Sequence, residues 1–215
     1  MELELNYADG QCAQIASQEL GQLGYLKEDC SLADGFEIVT HPMTHEYASE
    51  SFPWSMLRDL RCAGADADGA GMHVHVNRDA FDGPAHVYRW MQLIYRNADG
   101  VSGVARRRSY EWASFSHAKR PNLKASAKGD RDGERYSAIN VQNWATFEVR
   151  VFAASLDTQE VRAALDLVAA SVEYTRHLTV PVILAGGWTW DAFRTWVDAR
   201  PEYSALSEEM TVCAS

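Results

Sequence analysis

The chain has 215 residues, 47% hydrophobic and 23% charged, a balance that suits one soluble globular domain with a sizeable core and argues against disorder. Its formal charge of −10, from 20 Lys and Arg against 30 Asp and Glu, disfavours broad binding to nucleic acid or to an anionic membrane. Cys12, Cys30, Cys62 and Cys213 stand far apart without a Cys-x-x-Cys, and there is neither a basic apolar leader nor an apolar run of ~18 residues, so a cytoplasmic protein with reduced thiols is expected.

Met1–Tyr7 alternates Leu3 and Leu5 with Glu2, Glu4 and Asn6, which predicts a first strand. Gln11–Leu23 carries Ile15, Leu20 and Leu23 on one helical face ahead of Gly24, a stop signal. Tyr25–Ser31 and Gly35–Thr40 predict a hairpin turned at Asp34-Gly35, which sets Asp29 and Glu37 on neighbouring strands. His45–Cys62 reads as helix interrupted at Pro53. In Gly69–Asn77 two glycines permit a tight turn and close approach to a ligand, and the alternating run behind them predicts a strand with His73, His75 and Asn77 on one face. Pro84–Tyr95 predicts a helix with Val87, Trp90, Met91 and Ile94 turned inward.

Arg106–Arg135 differs in character, with nine Lys or Arg against four Asp or Glu and weak periodicity. It predicts a long loop around a short helix, and such basic loops serve as lids or phosphate covers more often than as solvated insertions. Tyr136–Val141 and Thr146–Phe152 predict two more strands, the second with Phe147, Val149 and Val151 on the core side and Glu148, Arg150 and Phe152 opposite. Thr158–Leu178 is the longest predicted helix, placed across the back of the sheet, and Trp188–Val197 and Pro201–Met210 close the chain as short helices. The tryptophans, Trp144 among them, are expected in the core. The predicted architecture is one α+β domain: a curved, mainly antiparallel sheet with helices on its outer face and the site on its concave face.

The chemistry follows from what those strands present together. Glu2, Glu4, Asp29, Glu37 and Glu148, with His73 and Arg150, share one sheet face, where five carboxylates repel one another unless cations lie between them. A pair of Mg²⁺ or Mn²⁺ ions suits carboxylate oxygens and tolerates an imidazole, and such ions bind phosphates as well. Arg150 and the basic segment would neutralise the remaining phosphate charge, so nucleotide chemistry is indicated. No Gly-x-x-x-x-Gly-Lys-Ser/Thr is present, which excludes a P-loop. On the same argument, removing Glu148 should leave the fold intact or relieve repulsion. Two alternatives stay open. A zinc hydrolase could use His73 and His75 as ligands and Glu148 as base, leaving three acids and the basic segment unexplained; a non-catalytic binding protein could use the same fold.

Gly69-Ala70-Gly71-Met72-His73 resembles the Gly-rich ATP-site signature of glutamine synthetases. The whole chain is similar, in order, to the amidoligases, a branch of the glutamine synthetase-like carboxylate-amine ligases. Glu2-Leu3-Glu4, the Asp29 to Glu37 stretch, the glycine-histidine stretch, Arg135-Tyr136-Ser137-Ala138-Ile139-Asn140 and Phe147-Glu148-Val149-Arg150 carry the likeness. The resemblance implies ATP and Mg²⁺ or Mn²⁺ as cofactors and Glu4, Glu37, His73 and Glu148 as metal ligands, with Glu2 a further ligand ranked below Glu4 because a chain start frays. Asp29 matches a position near the substrate amine or second metal, and Arg135 and Arg150 match phosphate-facing arginines. Gly69, Gly71 and Asn77 fall on the nucleotide side, and His75, on the same side as His73, is open to nucleotide or substrate binding or to a hydrogen-bonded structural role. The implied partners are a carboxylate and an amine, drawn from amino acids, peptides, cell-wall fragments or protein side chains, with no nucleic acid or membrane.

Overall fold

Alternation in β1 (Glu2–Leu5) sends Leu3 and Leu5 to one side, fully buried, and Glu2 and Glu4 to the other. The structure, a computed structural model, describes residues 1–115 and 120–213. Around β1 lies one open sheet, antiparallel throughout, in the order β2 (Gly24–Lys27), β3 (Phe36–Thr40), β1, β4 (Gly71–Asn77), β6 (Thr146–Ala153), β5 (Ile139–Asn140). Met72, Val74 and Val76 of β4 and Phe147 and Val149 of β6 extend the apolar face that Leu3 and Leu5 begin.

The helices among the described residues are α1 (Gly10–Leu20), α2 (His45–Ser51), α3 (Ser55–Cys62), α4 (Pro84–Arg96), α5 (Ala98–Ala105), α6 (Arg120–Ala127), α7 (Thr158–Arg176), α8 (Val180–Leu184), α9 (Trp190–Asp198) and α10 (Ser204–Val212). Trp90 of α4 joins the helical layer to the sheet: its ring meets Phe147 at 5.5 Å between centroids, and its Nε1 donates to Ser171 Oγ of α7 at 2.9 Å. α7 packs chiefly against α4 and α10 and only secondarily on β4, so it is the centre of the helical layer and not a plain cover for the sheet. No helix among the described residues is long and apolar enough to cross a membrane.

Several boundaries differ from those expected. α1 stops at Gly21, whose φ of +52° suits a residue without Cβ, and Gly24 instead opens β2. β2 ends at Lys27, so Asp29 lies in the following loop and not on a strand. There its Oδ1 accepts from the N–H and hydroxyl of Ser31 at 2.8 and 2.7 Å, a local turn that outcompetes the ladder. The partner of Glu37 across the hairpin is therefore Lys27. The strand expected over Tyr136–Val141 shrinks to Ile139–Asn140, and α5 and α8 were not foreseen. Trp144 is 79% exposed, with the Arg131 guanidinium 4.3 Å from its ring, and is not a core residue.

β6 also breaks its alternation. Val74 pairs with Val149 and Met72 with Phe152, so His73 alone faces both Arg150 and Val151. This bulge returns Phe152 to the side of Met72 and buries it, contrary to the simple count that put it beside Arg150. The sheet is open, not closed into a barrel: Asp29 follows one edge strand and Arg135 precedes the opposite edge strand. Within the basic segment, α6 buries Leu123 and Ala127 and packs on α4, while positions 116–119 lie outside the described residues.

Candidate metal centre

Register brings the acids into cross-strand rows. Lys27, Glu37 and Glu4 stand side by side across β2, β3 and β1; Glu2 pairs with His73; and His75, Glu148 and Asn140 form a third row across β4, β6 and β5. Glu2 is the common member. Its Oε2 lies 3.4 Å from His73 Nδ1 and its Oε1 3.3 Å from His75 Nε2. His73 Nδ1 is also 3.5 Å from Glu148 Oε1. Two groups result in which ligand atoms lie within 4.8 Å of one another: Glu2, Glu37 and His73, and Glu2, His75 and Glu148. Among the described residues, neither group holds both histidines.

Electrostatics differ from member to member. Burial would raise the Glu2 carboxyl, but the hydrogen bond with His73 and the close approach of His75, with the charge of both imidazoles, outweigh it and hold Glu2 far below the carboxylate range. Burial acts the same way on Glu148, yet the Arg150 guanidinium, His73, the Asn140 bond and His75 bring it below the ordinary value. Glu148 Oε1 pairs closely with Arg150, and its Oε2 accepts from Asn140 at 2.7 Å and Asn143 at 3.2 Å. Glu148 is thus a satisfied carboxylate, which corrects the expectation that its removal relieves repulsion. Glu37 goes the other way: burial and the charge of Glu2 push its carboxyl up against the opposing bond from Lys27 Nζ at 2.6 Å. His75 anchors Nδ1 on Thr146 Oγ1 at 3.1 Å, while its buried Nε2 faces Glu2 without the alignment of a hydrogen bond.

Glu4 belongs to neither group. Its Oε2 accepts the Gly71 N–H at 2.6 Å, and its Oε1 stands 3.9 Å from His73 Nε2. The expected ranking of Glu4 over Glu2 is reversed, because the start of β1 is held: Thr40 N–H donates to Met1 O at 2.9 Å. Gly69 makes the turn into β4 with φ +72°. Gly71 gives room on the site face, where a Cβ would come within 2.5 Å of Arg107 Nη1.

Arg150 is 7% exposed; besides Glu148 it reaches Trp112 O at 3.4 Å, and its guanidinium lies 5.7 Å from the Tyr136 ring. Arg135, exposed, lies at the same distance from that ring, so it stands at the margin of the site. Asp29 is outside both groups, and Asn77 spends its Oδ1 on the Asp79 N–H at 3.0 Å, capping the turn after β4. Sequence reasoning missed Asn140 and Asn143 as holders of Glu148, and it missed Arg107, hidden inside a run of three arginines with nothing in their order to single one out. No protein-family model, curated protein or solved structure matches the chain.

Proposed function

We propose that this chain is an ATP-dependent carboxylate-amine ligase of the amidoligase kind, a glutamine synthetase-like domain working through an acyl phosphate. The observation that carries the reading is Glu2 standing between two carboxylate-imidazole groups, with the Arg150 guanidinium beside one of them. The donor set fits Mg²⁺ or Mn²⁺: oxygen ligands predominate, each group offers one imidazole, and His75 Nε2 is buried without a hydrogen bond. One ion would be held by Glu2, Glu37 and His73 and the other by Glu2, His75 and Glu148; His75 thereby moves from the nucleotide to the metals. Bound there, the ions would supply positive charge to phosphoryl oxygens.

In the proposed reaction a substrate carboxylate oxygen bonds to the γ-phosphorus of ATP as the bond to ADP breaks. The amine nitrogen then bonds to the acyl carbon as phosphate leaves, and the proton that the nitrogen gives up passes to the departing phosphate. Both steps gather negative charge on phosphoryl oxygens, which fixed donors stabilise best when no reorganisation is needed. Arg150 meets that requirement, since Glu148 and Trp112 O fix its guanidinium in advance. Arg135 adds charge from the margin beside Tyr136. Asp29 is held below the usual carboxylate range by the Ser31 N–H and hydroxyl, with Lys27 and Arg135 assisting, so it is a weak base and a good partner for an ammonium. Its role is to hold the incoming amine.

Phosphate release from ATP and Mg²⁺, measured across a panel of carboxylic acids and amines, tests the reading. Release that depends on both an acid and an amine is expected. Release indifferent to either, or no nucleotide binding in Mg²⁺, overturns it.

A further inference from the structure

Arg106, Arg107 and Arg108 leave the C-terminus of α5 in three directions. Arg106, at φ +51°, ties back to Glu160 at 3.1 Å and to the buried Glu209 at 2.6 Å, while Arg108 pairs with Asp99 at the surface. Only Arg107 turns onto the metal face. Its Nη1 donates to Phe152 O at 3.3 Å and occupies the space a Cβ on Gly71 would need; that same absent Cβ would approach Glu4 Oε2 at 3.0 Å and His73 Nε2 at 3.4 Å. Among the described residues this is the guanidinium's one hydrogen bond, and no ion pair satisfies it. A guanidinium carries five N–H donors, and because Arg107 is only half-buried those not spent on Phe152 stay open to a ligand. Burial draws its pKa down, the charge of Arg150 adds to that, and Glu4 opposes both, so two guanidinium groups already act on each other beside the metal groups.

We propose that Arg107 and Arg150 form an oxyanion subsite over Gly71, taking a phosphoryl or carboxylate group next to the metal centre. The ligase reading supplies only the identity of the anion, the transferring phosphoryl group or the substrate acid. The subsite explains why β4 opens on a residue without a side chain: Gly71 leaves its site-face space to Arg107. It also gives the rearward Arg106 clamp a consequence, because fixing Arg106 on Glu160 and Glu209 turns the next residue toward the sheet.

Calorimetric titration of the protein in Mg²⁺ with orthophosphate, and separately with acetate, tests the subsite. The parent is compared with Arg107→Met, Arg107→Lys and Gly71→Ala. At least one anion is expected to bind the parent, and about 10- to 100-fold more weakly to Arg107→Met, the effect of losing a charged hydrogen-bonding partner. Arg107→Lys should fall between, since an ammonium lacks the planar fork. Gly71→Ala should weaken the anion too, by displacing Nη1 while keeping its charge. Mg²⁺ affinity should hold in Arg107→Met, whose residue is in neither metal group. Phosphate binding alone identifies a phosphoryl site, and acetate alone a carboxylate site. No binding of either anion to the parent, or equal binding to Arg107→Met, overturns the subsite. Mg²⁺–ATP bound by the parent, together with anion binding that is equal in parent and Arg107→Met, removes the subsite and leaves the ligase reading. Arg107-dependent phosphate binding without any nucleotide binding removes that reading and leaves the subsite.

Discussion

Glu148→Gln and Glu37→Gln delete the same charge from the same sheet face, yet in metal-free buffer at pH 7 they should move stability in opposite directions. Glu148 and Arg150 are 5% and 7% exposed, and Asn140 and Asn143 complete the carboxylate's partners. The amide leaves a buried guanidinium without its counter-charge. Breaking one side of a buried pair costs about 3 kcal/mol, the lower end of the usual range because the amide oxygen still accepts, which for a chain of this size is a fall of about 6–12 °C in Tm. Glu37, 2% exposed, carries a carboxyl pushed up by burial and by Glu2, so its neutral replacement should raise Tm modestly. The two should also differ in pH dependence. For Glu148 the folded value lies below the ordinary 4.5, so its contribution is complete above that value and is lost as pH falls through the folded one; the deficit of Glu148→Gln therefore closes on acidification. For Glu37 the folded value lies above 4.5, so the advantage of Glu37→Gln is absent in acid and opens as pH rises through the raised value. Thermal melts of the three proteins with EDTA, from about pH 2 to pH 8, read all of this. A Glu148→Gln protein as stable as its parent at pH 7 would refute the buried-pair account.

Mg²⁺ or Mn²⁺ at 100 times its Kd should stabilise the parent by about 2.7 kcal/mol. Glu2→Gln, which strikes both groups, should abolish that gain, and Glu4→Gln, which strikes neither, should retain it; an unchanged gain in Glu2→Gln would remove Glu2 from the centre. Asp29→Asn should raise KM for the amine and leave KM for the acid nearly unchanged, and steady-state kinetics showing equal changes would deny Asp29 a role at the amine. Amide exchange in α6 and through Lys128–Arg135 should slow with Mg²⁺ and a nucleotide analogue, as in a cover that closes; equal exchange in both states would mark this stretch as a solvated insertion.

Much of the centre was legible because alternation is a property of single strands. Reading β1, β4 and β6 one at a time already puts Glu2, His73, His75 and Glu148 opposite the buried Leu3, Val74 and Phe147. Which acid meets which imidazole depends on register, and register is a relation between strands far apart in sequence. Fraying at a chain start ranks Glu4 above Glu2, and only the register shows that Glu2 is the residue opposite His73. Asp29 falls outside the strand for a local reason, since a side-chain bond to Ser31 accompanies the end of the extended run at Lys27, four residues before the expected Ser31. Arg107 was invisible for a global one. Its neighbours Arg106 and Arg108 have the same chemistry, and only the packing of α5 against β6 and α10 separates the three.

The extra residue in β6 sets a phase within one strand. Counted from Thr146, odd positions belong to the core through Val149; counted back from Ala153, the even position Phe152 does. The two counts meet at Arg150 and Val151 and cannot be reconciled without the bulge. Removing Val151 would merge them, with every remaining side chain keeping its side of the sheet. A strand shortened in this way would retain its whole list of site residues while losing the buried Val151 side chain and the local bend and twist that aim Arg150. Composition and orientation at this centre can therefore be separated by a single deletion, which no substitution of Arg150 itself can achieve.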